Sequence, residues 1–279
     1  MSWRIEKQTS FLQNHQYTFD PKLLSILGSN IEWCINDDKQ FAIPLNTKSF
    51  LGFKKLLQPT LMQQYKTHPF LNEDDVKELL VFLRSKYRKG QIQMDQKSTE
   101  IHHVQYKTRS NYVLKLDIPQ EEQWKKLNSN TKRAINENIQ KHEFSTIKDD
   151  KLFYRFFLQN RNQTIKVIPS EFDKIELLLK YCIDQNLGFI DCVSLEGQIT
   201  AGCFFIQWNE CIYYLLPVSS ELGKQNESMR CLLWNRIRNK TSKQLTLDFE
   251  GSDLPGVAQF IRGFGAELCP YYEYSWSIL

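Results

Sequence analysis

Asp248, Glu250 and Ser252 stand at alternate positions in the stretch DFEGSDLPG, late in a chain of 279 residues. Side chains two apart on a strand share a face, so both carboxylates point the same way, with Glu250 at the open end. A carboxylate so placed can take the proton of an attacking amine, and a serine hydroxyl can donate to an oxyanion. The same residues also have a plain structural reading. Asp248 would cap or pair with a cation, Glu250 would order the turn, and Ser252 would cap the next helix. Lys132-Arg133 is a second pair with chemical capacity, because cations among flexible amide side chains suit a phosphate or carboxylate. Its plain alternative is a solvated helix face.

Other chemistries find no support. His102, His103 and His142 have no Cys or carboxylate partner at ligand spacing, so no metal site is expected. There is no G-x-S-x-G elbow and no P-loop. The seven cysteines include no C-x-x-C pair and read as reduced thiols in a cytoplasmic protein. No run of about 18 or more apolar residues exists to span a membrane. A net charge of +4 is too small to argue nucleic-acid binding from the total. With 41% hydrophobic and 24% charged residues the composition is that of an ordinary globule.

The acidic stretch is positioned by its flanks. Leu245–Phe249 alternates apolar and polar residues as a strand does, and Glu250-Gly251-Ser252 breaks it. Pro255 then opens a helix with Val257, Phe260, Ile261 and Phe264 at helical spacing, and Gly263 and Gly265 end it. Open α/β sheets place ligands at such strand ends. Upstream, Ile31–Ile35 and Phe41–Leu45 predict a hairpin, Leu51–Pro59 a further strand or loop, and Glu73–Lys89 an amphipathic helix with acids first and bases last. Gln91–Gln96 and His102–Leu116 predict strands. Gln120–Lys141 predicts one long helix carrying Lys132 and Arg133. Phe144–Ile147 predicts a strand, Asp150–Asn160 and Ser170–Gln185 helices, and the stretches from Phe189 to Val218 three antiparallel strands with tight turns. Asn226–Lys240 predicts a helix and Tyr271–Ile278 a last strand that closes the sheet. No internal repeat is visible.

DFEGS followed by PG and QFIRGFGAE resembles the closing motif of Fem-type transferases and their relatives in the GNAT (N-acyltransferase) superfamily. LLQPTLMQQY at Leu56–Tyr65, NSNTKRAINENIQK at Asn128–Lys141 and YYLLPVSSELGKQNESMRCLLWNRI at Tyr213–Ile237 resemble further motifs of that group, in the same order. The resemblance implies an α/β fold with mixed sheets in two GNAT-like halves: a degenerate one at 1–143 and a complete one at 144–279. It implies transfer of an acyl or aminoacyl group, from acetyl-CoA or another acyl-CoA or from aminoacyl-tRNA, to an amine, on a small molecule or a cell-wall precursor. The alternative is a non-catalytic protein of this fold that binds an anionic ligand or tRNA.

The resemblance also assigns places. The donor's anionic part would meet Lys224, Gln225, Asn226 and Ser228 before the helix that follows the third meander strand. Two glycines of the family pattern are replaced there by Glu227 and Met229, which disfavours a pyrophosphate. The family's acidic Tyr position holds Ile261, so an acid must come from elsewhere, with Tyr214 a candidate. A precursor would lie along Lys132, Arg133, Gln63, Gln64 and Tyr65.

Overall fold

The computed structural model describes residues 3–7, 20–50, 52–67, 71–161, 169–241, 245–251 and 253–277. The chain forms two compact units, Met1–Ser110 with Pro270–Leu279, and Asn111–Cys269. The chain therefore changes unit at Ser110 and returns at Cys269, rather than dividing once at residue 143.

The first unit begins with β1 (Arg4–Glu6), α1 (Pro21–Leu27), β2 (Ile31–Asn36), β3 (Phe41–Phe50), β4 (Phe53–Leu57), α2 (Glu73–Lys86), β5 (Lys89–Met94) and β6 (Gln105–Arg109). Local chemistry sets these ends. Asp20 accepts from the amides of Lys22 and Leu23 and so caps α1, with Pro21 at its first position. Asn72 and Asp75 form a reciprocal capping box on α2. Leu79, Leu80 and Leu83 of α2 pack into a core with Leu45, Tyr65, Ile92 and Trp276.

The second unit runs through β7 (Tyr112–Lys115), α3 (Gln120–Lys126), α4 (Ser129–Asn138), β8 (Glu143–Ile147), α5 (Asp150–Asn160), α6 (Pro169–Asp184), β9 (Gly188–Leu195), β10 (Gln198–Trp208) and β11 (Cys211–Ser219). It continues with α7 (Glu221–Gln225), α8 (Ser228–Arg238), β12 (Thr246–Asp248), α9 (Pro255–Arg262) and β13 (Glu267–Leu268). The expected single helix over 120–141 is two. Asn128 interrupts it because its side chain caps α4 through the Thr131 amide at 2.8 Å, while its own N–H donates to the Gly263 carbonyl at 3.0 Å. A 3-10 turn, Ile139–Lys141, ends the segment. The core of this unit joins Leu114, Val193, Phe205, Leu233, Leu247 and Phe264.

β14 (Tyr271–Ser277) does not close the second sheet as expected. It lies in the first, between β5 and β6. The two seven-stranded sheets then read alike: β1-β2-β3-β4-β5-β14-β6 and β8-β9-β10-β11-β12-β7-β13. In each, the fourth and fifth strands are parallel and every other neighbouring pair is antiparallel. In each, the sixth strand comes from the far end of the unit's own sequence, β14 in one and β7 in the other. The expected two halves are present, and a likeness that no sequence repeat reveals is visible in their strand order. Among the described residues, α1 stands between β1 and β2, where α5 and α6 stand between β8 and β9.

A buried ion pair holds the second sheet to α8. The Arg236 guanidinium donates twice to Asp191, at 2.6 Å each, lies over the Phe189 ring, and shares Asp191 with the Thr146 hydroxyl. Its side chains are 15% and 8% exposed, so removing one partner strands a desolvated charge. Asp191→Ala is expected to destabilise the protein by about 3–5 kcal/mol in urea unfolding, and Asp191→Leu with Arg236→Met to recover most of the loss.

Candidate functional site

The acidic bend begins where β12 stops pairing. β12 runs parallel to β11 for three residue pairs, ending at Tyr213–Asp248. Phe249 then gives its N–H to the Tyr112 carbonyl of β7 at 3.0 Å, which draws the chain away from β11. The Asp248 side chain accepts the Glu250 N–H at 2.9 Å, and Glu250 and Gly251 both take left-handed backbone. The strand is thus shorter than expected, and Glu250 sits in a turn rather than continuing the alternation. Asp248 is buried and organises the bend, whereas Glu250 is half-buried at its mouth. Ser252 lies outside the described residues.

β11 continues past Tyr213 to Ser219, with a bulge that places Leu215 between the pairs Phe204–Leu216 and Phe205–Tyr214. Among the described residues, no strand pairs with this edge beyond Tyr213. The first half has the same parallel junction, β4 with β5, paired only at Lys55–Lys89 and Leu56–Gly90. There the opening is closed. Gln58 accepts the Gln93 N–H at 3.0 Å, Tyr65 donates to the Gln93 carbonyl at 2.8 Å, and Asp95 donates back to Tyr65 at 3.1 Å. Among the described residues, the second half alone keeps a strand edge without a strand partner at its parallel junction.

Tyr214 sits at that edge but inside the core. Its ring packs between Phe205 and Phe249, at centroid distances of 5.8 and 5.5 Å, and burial pushes its phenol well above the ordinary range. Its ring forms part of the wall beside the edge.

About 10–17 Å further along β11 (~3.3 Å per residue), a cavity of about 640 Å³ is lined by Asn160, Arg161, Val218, Ser219, Lys224 and Met229, among others. Lys224 lies here as expected, paired with Glu221 at 2.5 Å. Gln225 is exposed outside the lining, and the Asn226 side-chain amide closes α7 on the Leu222 carbonyl at 3.0 Å. Ser228 is fully buried beneath the cavity wall. The His142 Nδ1 must carry the proton, since it faces the Asn138 carbonyl at 2.8 Å, so Nε2 accepts the Ser228 hydroxyl at 2.8 Å. Thr200 Oγ1 is 3.0 Å from Ser228 Oγ and 3.2 Å from the Val193 carbonyl. The serine hydroxyl is spent inside the protein.

The pyrophosphate of coenzyme A does not fit the start of α8. Glu227 occupies the N-cap position in left-handed backbone and directs its carboxylate to Arg230. Gly223 offers no approach for a ligand either, because a Cβ there would collide with the Thr200 carbonyl. The helix end thus presents a carboxylate, already paired with Arg230, where the family pattern has glycine.

Of the other expected substrate residues, Lys132 and Arg133 belong to the second unit and Gln63, Gln64 and Tyr65 to the first. Lys132 donates to the Lys125 carbonyl at 3.1 Å and so finishes α3, and Arg133 is exposed on α4. Tyr65 belongs to the first unit's core, Gln64 is buried, and Gln63 accepts the Gln64 amide at 3.2 Å. Among the described residues no cluster of three or more His, Cys, Asp or Glu could hold a metal ion, and no helix is long and apolar enough to cross a membrane. All seven cysteines are free. Sequence reasoning missed the Asp191–Arg236 pair and the His142–Ser228 contact, whose partners are 45 and 86 residues apart.

With the geometry in hand, the fold can be placed among known proteins. The chain aligns with the crystal structure of FemX over 97% of its own length and 96% of that chain, at a TM-score of 0.65 and 11% identity. A conserved protein of unknown function from Bacteroides thetaiotaomicron aligns over 92% and 88%, at 0.61 and 9% identity. The C-terminal domain (DUF2156) of a putative lysylphosphatidylglycerol synthetase from Agrobacterium fabrum aligns over 91% and 85%, at 0.52 and 8% identity. No family model and no curated protein matches the sequence. The fold is therefore that of FemX, in two halves of like strand order.

Burial lowers the His142 pKa below its ordinary value, and the nearby Lys141 charge adds to that, against the Asn138 carbonyl. The unfolded chain takes up this proton first, so the stabilising contribution is complete above the unfolded pKa of about 6.5 and is lost as pH falls through it. Urea midpoints are expected to drop between about pH 7.5 and 5.5, and the drop to be smaller in His142→Gln. An equal drop in both proteins would contradict the buried neutral imidazole.

Proposed function

We propose that the protein is an acyltransferase that moves an acyl or aminoacyl group from an oxygen ester to an amine, in the gap between β11 and β12. The observation that carries this reading is the free edge of β11 opening beside the acidic bend, in the half where the gap is not refilled. Glu250 takes the proton as the amine nitrogen attacks the donor carbonyl, main-chain N–H groups of the free edge meet the oxyanion, and the proton returns on the departing ester oxygen. Asp248 is a positioning residue that holds the Glu250 backbone in its turn.

The misfit at Glu227 argues against an acyl-CoA donor and favours aminoacyl-tRNA, with Arg161 and Lys224 as the cations near its phosphates. The acceptor implied by the Fem-type resemblance is an amine on a cell-wall precursor. A non-catalytic binding protein would share the cavity but would not need Glu250.

The test uses charged tRNA with amine acceptors. Glu250→Gln is expected to lower turnover by about 10²–10⁴-fold with an unchanged circular dichroism spectrum and melting temperature. Full activity in that variant removes Glu250 from the chemistry. Micromolar coenzyme A binding by calorimetry would overturn the donor assignment.

A further inference from the structure

A second cavity, of about 570 Å³, lies wholly in the first unit, where β5 and β6 begin and β14 ends. Nothing in the acyl-transfer reading uses it. One part of its lining is apolar, with Leu57, Ile101, Val104 and Trp276. Trp276 is fixed there: its Nε1 donates to the Tyr87 carbonyl at 2.7 Å, and its ring lies so close over Gly90 that a Cβ would collide with it.

The polar part of the lining is unspent. Lys89 and Glu100 both face the cavity, and among the described residues neither side chain makes a hydrogen bond or an ion pair, with each other or with anything else. The same holds for the side chains of Gln91, Gln105, Ser275 and Ser277. The His102 and His103 rings lie 3.7 Å apart, with His103 held in left-handed backbone at φ 62°. A non-glycine residue in that conformation carries strain on the order of 1–2 kcal/mol. The other charged clusters of this unit are different in kind. Lys54 and Tyr87 close on Glu32, Lys39 on Asp75, and Arg109 on Glu273.

One uncompensated cation, one uncompensated carboxylate and an apolar wall in a single cavity define a ligand with both charges and an apolar body. We infer that this cavity binds an α-amino acid zwitterion with an apolar side chain, as the free amino acid or as a short peptide. The ligand's carboxylate meets Lys89, its ammonium meets Glu100, and its side chain lies against Trp276 and Val104. The amides and hydroxyls supply the remaining hydrogen bonds, and a peptide would use more of them.

Calorimetry on the full chain, with L-leucine and L-leucyl-L-leucine as probes, tests this and separates the two sources. Saturable binding of either probe is expected, and the tighter one names the source. N-acetyl-leucine and leucine methyl ester, each lacking one charge, are expected to bind about tenfold or more weakly than leucine. Lys89→Gln and Glu100→Gln, both at exposed positions, are expected to weaken the better probe to the same degree. Lys180→Ala, at an exposed position in the second unit, should leave it unchanged. No binding of either probe at millimolar concentration, or binding unaffected by both Lys89→Gln and Glu100→Gln, overturns the assignment. Neither result bears on Glu250, so this site and the acyl-transfer reading fail independently.

Discussion

The Tyr213–Asp248 pair is the last rung of the parallel ladder between β11 and β12, and everything at the candidate site depends on the ladder ending there. Two hydrogen bonds end it. Phe249 bonds sideways to Tyr112, and the Asp248 carboxylate captures the Glu250 amide. Past that rung β11 has no strand neighbour on one side among the described residues, an edge that a ligand could use. The same two bonds put Glu250 at the mouth of the opening. The Asp248 side chain is engaged in the turn that presents its neighbour.

The two halves share one strand pattern and diverge at this junction. In the first, the chain between β4 and Tyr65 folds back and completes the ladder through Gln58 and Tyr65, so the place of the opening is filled by protein. In the second, the segment after β11 instead becomes α7 and α8, and the opening remains. A duplication can persist in strand order long after sequence similarity has gone. Sheet order depends on which faces are apolar and where chains reverse, whereas many different side chains satisfy either requirement. The exchange of the sixth strand explains why no cut near residue 143 separates the halves: β7 precedes that point yet belongs to the second sheet, and β14 follows it yet belongs to the first.

Elements dictated by local chemistry were legible in the sequence. The β2–β3 hairpin, the acid-first α2 and the meander β9–β10–β11 all follow from periodicity, caps and tight turns. The α3–α4 break was carried by Asn128, but a capping asparagine inside a helical pattern competes with the pattern itself, and the Gly263 carbonyl that decides the contest is distant in sequence. The long strand expected over 102–116 failed for a similar reason, since the chain changes sheets within it. At the site, alternation placed Asp248 and Glu250 on one face, yet the Asx bond between them ends the strand first. Ser228, read as a ligand contact, faces inward to His142, and only a fold shows that the two meet. The replacement of glycine by Glu227 was readable, and its consequence at the start of α8 follows from simple charge.

The free edge is the central claim, and amide hydrogen exchange of residues 214–219 reads it directly. The amides of that edge with no partner on β10 should exchange rapidly in the free protein and slow markedly when charged tRNA is added, while the closed ladder around Gln93 and Tyr65 stays protected throughout. Protection of every 214–219 amide before any donor is added, or no change on adding it, would contradict the account.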